Sequence, residues 1–360
     1  VHRMKRLILL VGLLMLLTLD VYATELPDDL KDALPESAEE LMKDEKNLDF
    51  SDADGLTEGI ALILKHLQNQ FGDILRQRLQ GAVSVLLVVV LCAALENTGG
   101  KQPLFLSMAG ALSITVLTAG SLDMLIGLGA ETIQELNLFS KALLPTLAAA
   151  TAASGAITTA TFQQVSTVFF ADLLMNLING LLMPMVYLYI GAMTAGACMS
   201  ESRLWTIAEG LKKAITWILT SSLLLFTVYL SVVRVISGAV DGTTVKVAKT
   251  AISGVVPVVG GIIAEASETV LLGAGMLRNT IGIFGMLAIL AACAYPFLQL
   301  GIQYLLYKLT AFLAGTLGTP GLCKLVDGLG GAFGLVLGMT GGCALLLLIS
   351  VYSSVAAVMP

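Results

Sequence analysis

Few residues in this chain are able to do chemistry, and most of them are acids set in or beside apolar stretches. Asp123 and Asp172 each interrupt or edge a long uncharged run. An acid inside a bilayer is expensive and marks an ion or proton path by default, whereas the same acid at headgroup level is solvated and needs no function. The sequence leaves both readings open. Glu265 and Glu268 lie three apart, on one helical face, just after Pro257 and the Gly260-Gly261 pair. Proline has no N–H to offer the Ser253 carbonyl, so a helix opens there. Freed carbonyls beside carboxylates coordinate cations in transporters with broken helices. A bend with solvated acids is spelled the same way, and no second matching broken segment is evident.

The remaining inventory is mainly exclusion. Of two histidines, His2 lies in the N-terminal run and His66 on a polar helix face, so no Ser-His or Cys-His pair can be built in the apolar part. Neither HExxH nor GxxxxGK[ST] occurs. The five cysteines, Cys92, Cys198, Cys293, Cys323 and Cys343, form no CxxC and read as buried small hydrophobes. Neither a catalytic residue, a metal site nor a cofactor is expected, and the chain is expected not to be an enzyme. One further pattern speaks of packing. Gly330, Gly334, Gly338 and Gly342 recur every fourth residue and lay a glycine groove along one helix face, where a neighbouring helix or subunit approaches closely.

The elements that carry these residues follow from composition. Of 360 residues, 56% are hydrophobic and 13% charged, against about 25% charged in soluble domains. Mean hydropathy is +0.88. Such a chain cannot cover a soluble surface, and it reads as an all-α polytopic membrane protein. The net charge of −6 is unevenly spread: residues 25–58 hold thirteen acids against three lysines, while the rest is nearly balanced. No basic stripe suits nucleic acid.

Residues 1–23 read as a signal peptide, with Lys5 and Arg6 before an apolar run over 7–19 and Val21-Tyr22-Ala23 at the cleavage site. Residues 24–58 then form an acidic exported leader, Pro-containing and aromatic-poor, expected to be largely disordered. Over 59–80 an amphipathic helix is expected. Ile60, Ile63, Leu64, Leu67, Phe71, Ile74, Leu75 and Leu79 form its apolar stripe, facing a membrane surface, a partner helix or the chain's own membrane domain.

The membrane domain is residues 81–360, its first charge-free stretch opening slightly earlier. Spans are expected at 79–95, 102–122, 173–200, 214–233, 279–307 and 328–360. Two ambiguous stretches bring the expected total to about six to eight segments. Residues 142–171, rich in Ala, Ser, Thr and Gly, suit a helix packed inside the bundle. Residues 250–264 suit a re-entrant or broken helix. Lysines and arginines are nearly even on the two sides, so orientation rests on the signal peptide, which puts the mature N-terminus outside.

The stretch from Val245 through Ile252-Ser253 and Val256-Pro257-Val258-Val259-Gly260-Gly261 resembles the stage III sporulation protein AE family. So does its continuation through Glu268-Thr269-Val270 and Arg278-Asn279-Thr280-Ile281-Gly282 to Pro296 and Tyr307-Lys308-Leu309. Two positions depart from the family's habit: Ala264-Glu265 stands for Ser-Asp, and Gly254-Val255 for Asn-Phe. The resemblance implies a sporulation role in a secretion-like channel complex joining mother cell and forespore. It also implies the other subunits of the stage III sporulation operon and a forespore partner as partners, and a place in the mother-cell membrane surrounding the forespore. The reading of another class is an ion-coupled secondary transporter that uses Asp123, Asp172, Glu265 and Glu268.

Overall fold

The computed structural model of the chain describes residues 27–36, 38–39, 53–97, 103–199, 202–255, 260–317 and 320–356. Among these every regular element is helical. In chain order they are α1 (Asp28–Asp32), α2 (Ala53–Asn97), α3 (Pro103–Ala153) and α4 (Ile157–Leu177). A π-helical turn (Ile178–Leu182) follows, then α5 (Met183–Met199), α6 (Ser202–Val255), α7 (Gly260–Gly315) and α8 (Pro320–Ala356). Six runs are long and apolar enough to cross a membrane: Asp54–Glu96, Phe105–Ala153, Ile157–Met199, Arg203–Ser237, Leu272–Gly315 and Pro320–Ala356. The chain is an all-α polytopic membrane protein. The expected signal peptide, residues 1–23, lies outside the described residues, as does about half of the leader. Of the leader, Leu30 and Ala38 are buried in the main apolar core and α1 rests on α3.

α8 is the centre of the bundle, packing against α3, α4, α5, α6 and α7. Its run of Gly, Ala, Leu and Val buries Leu325, Leu329, Phe333, Val336 and Met339 almost completely. Small residues between these let neighbouring backbones come close, which substitutes for the missing hydrophobic drive between helices in lipid. Contacts at distant points fix the two ends. At one, Ser107 Oγ donates to the Ala197 carbonyl at 3.3 Å, Thr115 and Thr194 pair at 3.2 Å, and Gly110 faces Cys92 and Leu322. At the other, Gly282 faces Val355, and Leu143 packs on Gly285.

The stretch 59–80 is not a separate element: it continues into the first span as one helix, α2. The stripe expected there is divided. Ile74 is buried, and with Ala82 it meets Ile302 and Leu306 of α7. Ile60, Leu64, Phe71 and Leu79 stay exposed. The helix therefore packs on its own bundle along one edge and leaves the other open.

The expectation of one small-residue helix over 142–171 is corrected. α3 stops at Ala153 and α4 starts at Ile157. Gly155 has φ 93°, a left-handed conformation that glycine takes without cost. The Ala156 N–H bonds the Thr151 carbonyl (3.3 Å) and the Gly155 N–H the Ala152 carbonyl (3.0 Å), the two bonds of a Schellman stop. Small residues make a tight helical corner here. The expected break over 250–264 turns on Pro257, which lies outside the described residues; α6 is described to Val255 and α7 from Gly260.

Candidate functional site

Near the end marked by Gly282 and Val355, hydroxyls and one amide form a buried polar seam. Gln163 Nε2 of α4 donates to Ser353 Oγ of α8 at 2.8 Å, and Ser354 Oγ donates back to Gln163 Oε1 at 2.8 Å. One turn away Thr167 pairs with Ser350. Thr159 Oγ1 donates to Ser237 Oγ of α6 at 3.0 Å. At the α3–α4 corner, Arg278 Nη1 of α7 donates to Ser154 Oγ at 3.3 Å, with the guanidinium residue only 5% exposed. Buried partners of this kind fix which turn of one helix meets which turn of the next, since a slip by one turn leaves donors unpaired. Sequence reading missed this seam. Its one signal is Ser350, Ser353 and Ser354 on a single face of an otherwise apolar helix.

A second buried arginine, Arg78, ties α2 to α7 by donating to Gln299 Oε1 at 2.6 Å. Neither arginine has a carboxylate at ion-pair distance among the described residues. Both are held by neutral acceptors.

The acids singled out from sequence are not brought together. Asp172 of α4 faces Lys141 of α3 at 4.0 Å, with both side chains about half exposed (46% and 55%). Asp123 is exposed on α3, about 27 Å along the helix from Lys141. Gly260 and Gly261 open α7, but the side chains of Glu265 and Glu268 lie outside the described residues, so that cluster has no geometry to report.

The four-residue glycine row has two neighbours. Gly330 and Gly334 face Tyr307 and Tyr304 of α7, while Gly338 and Gly342 face Leu219 of α6, with Leu223 beside Gly342. Both neighbours belong to this same chain. No group of three or more His, Cys, Asp or Glu side chains converges on a possible metal position among the described residues.

The open faces follow from height. At 1.5 Å per residue, the 45 residues of α2 rise about 68 Å, the 56 of α7 about 84 Å and the 37 of α8 about 56 Å. A hydrocarbon core about 30 Å thick covers roughly 20 residues of each. Exposed large apolar side chains nevertheless occur along the whole column. Beside the seam, α4 presents Phe162, Val165 (65% exposed), Phe169 (61%) and Leu173 on one face. Near the opposite end α3 presents Phe105, Leu112 and Val116, and α7 presents Leu305 and Leu309. A single bilayer cannot cover both sets.

Comparison with known proteins gives two matches. A profile of the stage III sporulation protein AE family matches residues 45–358. Stage III sporulation protein AE of Bacillus subtilis (strain 168) is 27% identical over 205 residues, 57% of this chain and 51% of that protein. The match thus takes in about half the length of that relative. No solved structure matches.

Proposed function

The chain belongs to the stage III sporulation protein AE family, and from that premise we propose that it is a non-enzymatic membrane subunit of a secretion-like channel complex linking mother cell and forespore. Its partners in this reading are the other subunits of the stage III sporulation operon and a forespore component. It sits in the mother-cell membrane surrounding the forespore, with the mature N-terminus in the intermembrane space.

One observation carries the reading: helices of 45 and 56 residues, α2 and α7, with exposed apolar side chains toward both ends. Lipid covers roughly 20 residues of each, so the remaining apolar surface needs protein. The face of Phe162, Val165, Phe169 and Leu173 is the clearest example, because contiguous apolar surface on that scale marks interaction sites. The transporter reading finds less support, since Asp172 meets Lys141 on an exposed surface and Asp123 stands apart.

The test is a pair of variants in a sporulating host. Val165→Glu with Phe169→Glu alters only exposed positions, so the subunit should insert and fold but fail to co-purify with the operon's other membrane proteins. Late forespore gene expression should fall with it. Normal complex recovery from that variant refutes the reading. Replacing Asp123, Asp172, Glu265 and Glu268 by their amides should leave both readouts unchanged. Developmental arrest with an intact complex would hand the argument to the transporter.

A further inference from the structure

At the end of the bundle opposite the polar seam, α5, α6, α7 and α8 enclose a cavity of about 1060 Å³. Four lysines line it, Lys212 and Lys213 from α6, Lys308 from α7 and Lys324 from α8, against two carboxylates, Glu209 and Asp327. Lys308 is spoken for: its Nζ lies 2.5 Å from Asp327 Oδ1 and 3.4 Å from the Asp327 carbonyl. Lys324 lies over the Trp205 ring, 5.7 Å from its centroid. Among the described residues, Lys212, Lys213 and Lys324 have no carboxylate at ion-pair distance. With Glu209 counted against them, the cavity retains two uncompensated positive charges.

The rest of its lining is mainly apolar, with the hydroxyls of Tyr189, Thr216 and Thr220 among it. Both tryptophans of the chain, Trp205 and Trp217, line it. Trp217 is 71% exposed and Phe312 69% exposed, at the outer lip. Tryptophan and lysine together belong at the boundary between hydrocarbon and headgroups, where the ring stays in the interface and the ammonium snorkels to water. Basic pockets between membrane helices suit phosphate-bearing headgroups.

We infer that this cavity seats the headgroup of an anionic phospholipid, its phosphate against Lys212, Lys213 and Lys324 and its acyl chains passing out over Trp217 and Phe312. The shared chemistry with a free phosphate is the anionic group. The apolar lip favours the lipid, since a soluble anion gains nothing from it. The chain's own acidic leader is poorly placed to compete, because its described part packs on α3 and joins α2 at the other end of the column. This inference rests on the membrane span alone and stands apart from the sporulation reading.

The two tryptophans make the test direct. Full-length chain is reconstituted in phosphatidylcholine vesicles holding a small fraction of brominated phosphatidylglycerol or, in parallel, brominated phosphatidylcholine. Each uncompensated base near the headgroups contributes a factor of about five, so the anionic lipid should compete for the quenching position about ten- to thirtyfold better. Lys212→Gln, Lys213→Gln and Lys324→Gln together should bring the two lipids to parity, while the corresponding three Lys→Arg changes should keep the preference. Equal quenching by both lipids in the unaltered chain overturns the inference without any variant. So does a preference that survives the three Lys→Gln changes. Inorganic phosphate added at constant ionic strength should leave the preference intact; its loss would assign the site to a soluble anion instead.

Discussion

Gly330→Ala and Gly338→Ala are one chemical change at two positions on the same row of α8, and the packing predicts different outcomes. A methyl group at Gly330 would stand 3.0 Å from Tyr307 Cβ, 3.6 Å from the Lys308 backbone nitrogen and 3.7 Å from the Tyr307 carbonyl carbon. Carbon atoms prefer about 3.5–4.0 Å, so the neighbour has to withdraw by roughly half an ångström. Tyr307 is poorly able to do so alone. It is buried, and its ring packs edge-on to Phe333 with centroids 5.3 Å apart. The strain therefore reaches the α7 backbone, and overpacking of this kind costs about 1–3 kcal/mol. At Gly338 the nearest atom is Leu219 Cδ2 at 3.8 Å, an ordinary contact at an exposed position. Both variants gain the same backbone preference for helix, about 1 kcal/mol in water, and that gain cancels in the comparison. Gly338→Ala should be neutral or slightly stabilising, with Gly330→Ala about 1–3 kcal/mol below it. Unfolding of the two full-length variants in one detergent, by heat or by SDS titration, measures the difference. Coincident midpoints would refute the claim that α7 is held against α8 at backbone distance.

Three further outcomes follow from the same geometry. Gln163→Leu removes the acceptor of Ser354 and the donor to Ser353, and should destabilise the bundle by about 1–2 kcal/mol, read as a lower unfolding midpoint; an unchanged midpoint would mean the seam does not hold α4 to α8. Asp172→Asn breaks an exposed pair at 4.0 Å, and should change stability by under about 1 kcal/mol in the same assay. Arg78→Ala leaves Gln299 Oε1 without its partner in a buried position, and should cost about 1–3 kcal/mol; Arg78→Gln, which can still donate, should recover part of the loss.

How far the fold was legible depends on what hydropathy measures. The six spans were found because a charge-free window reports where lipid is. Their true lengths were not, because charges such as Glu131, Glu135 and Lys141 fall inside α3 without ending it. A charge tells where the bilayer stops, and a helix stops only where backbone bonds are redirected, as at Gly155. The corner there was spelled in small residues, which read equally well as a packed helix. The seam and the lysine cavity were harder still. Gln163, Ser353 and Ser237 lie on three separate helices, and Lys212, Lys308 and Lys324 likewise come from three. Only the tertiary arrangement makes either group a unit. The glycine row was visible as a pattern, but its two neighbours, Tyr307 with Tyr304 and Leu219 with Leu223, lie on helices that no spacing rule names.

The π-helical turn at Ile178–Leu182 has a consequence for how one membrane crossing serves both ends of α8. Pro184 follows it closely and has no N–H for the Gly180 carbonyl, and the Met183 N–H reaches back to Ile178 in compensation. Gln163 bonds Ser353 and Ser354 before the turn, and Met193 lies against Gly328 after it. In an uninterrupted α-helix these two residues would be out of phase by about 120°. The one extra residue taken up by a π turn brings them to within about 20°. α4 and α5 can therefore follow a single face of α8, where Gly328 and Ser353 are themselves about 20° apart in phase. Deleting one residue from the turn would restore regular helix in the same phase, so Tyr189, whose hydroxyl donates to the Gly328 carbonyl at 3.0 Å, should keep its acceptor. The wide turn is the angular correction that lets one long helical run stay in step with a straight neighbour.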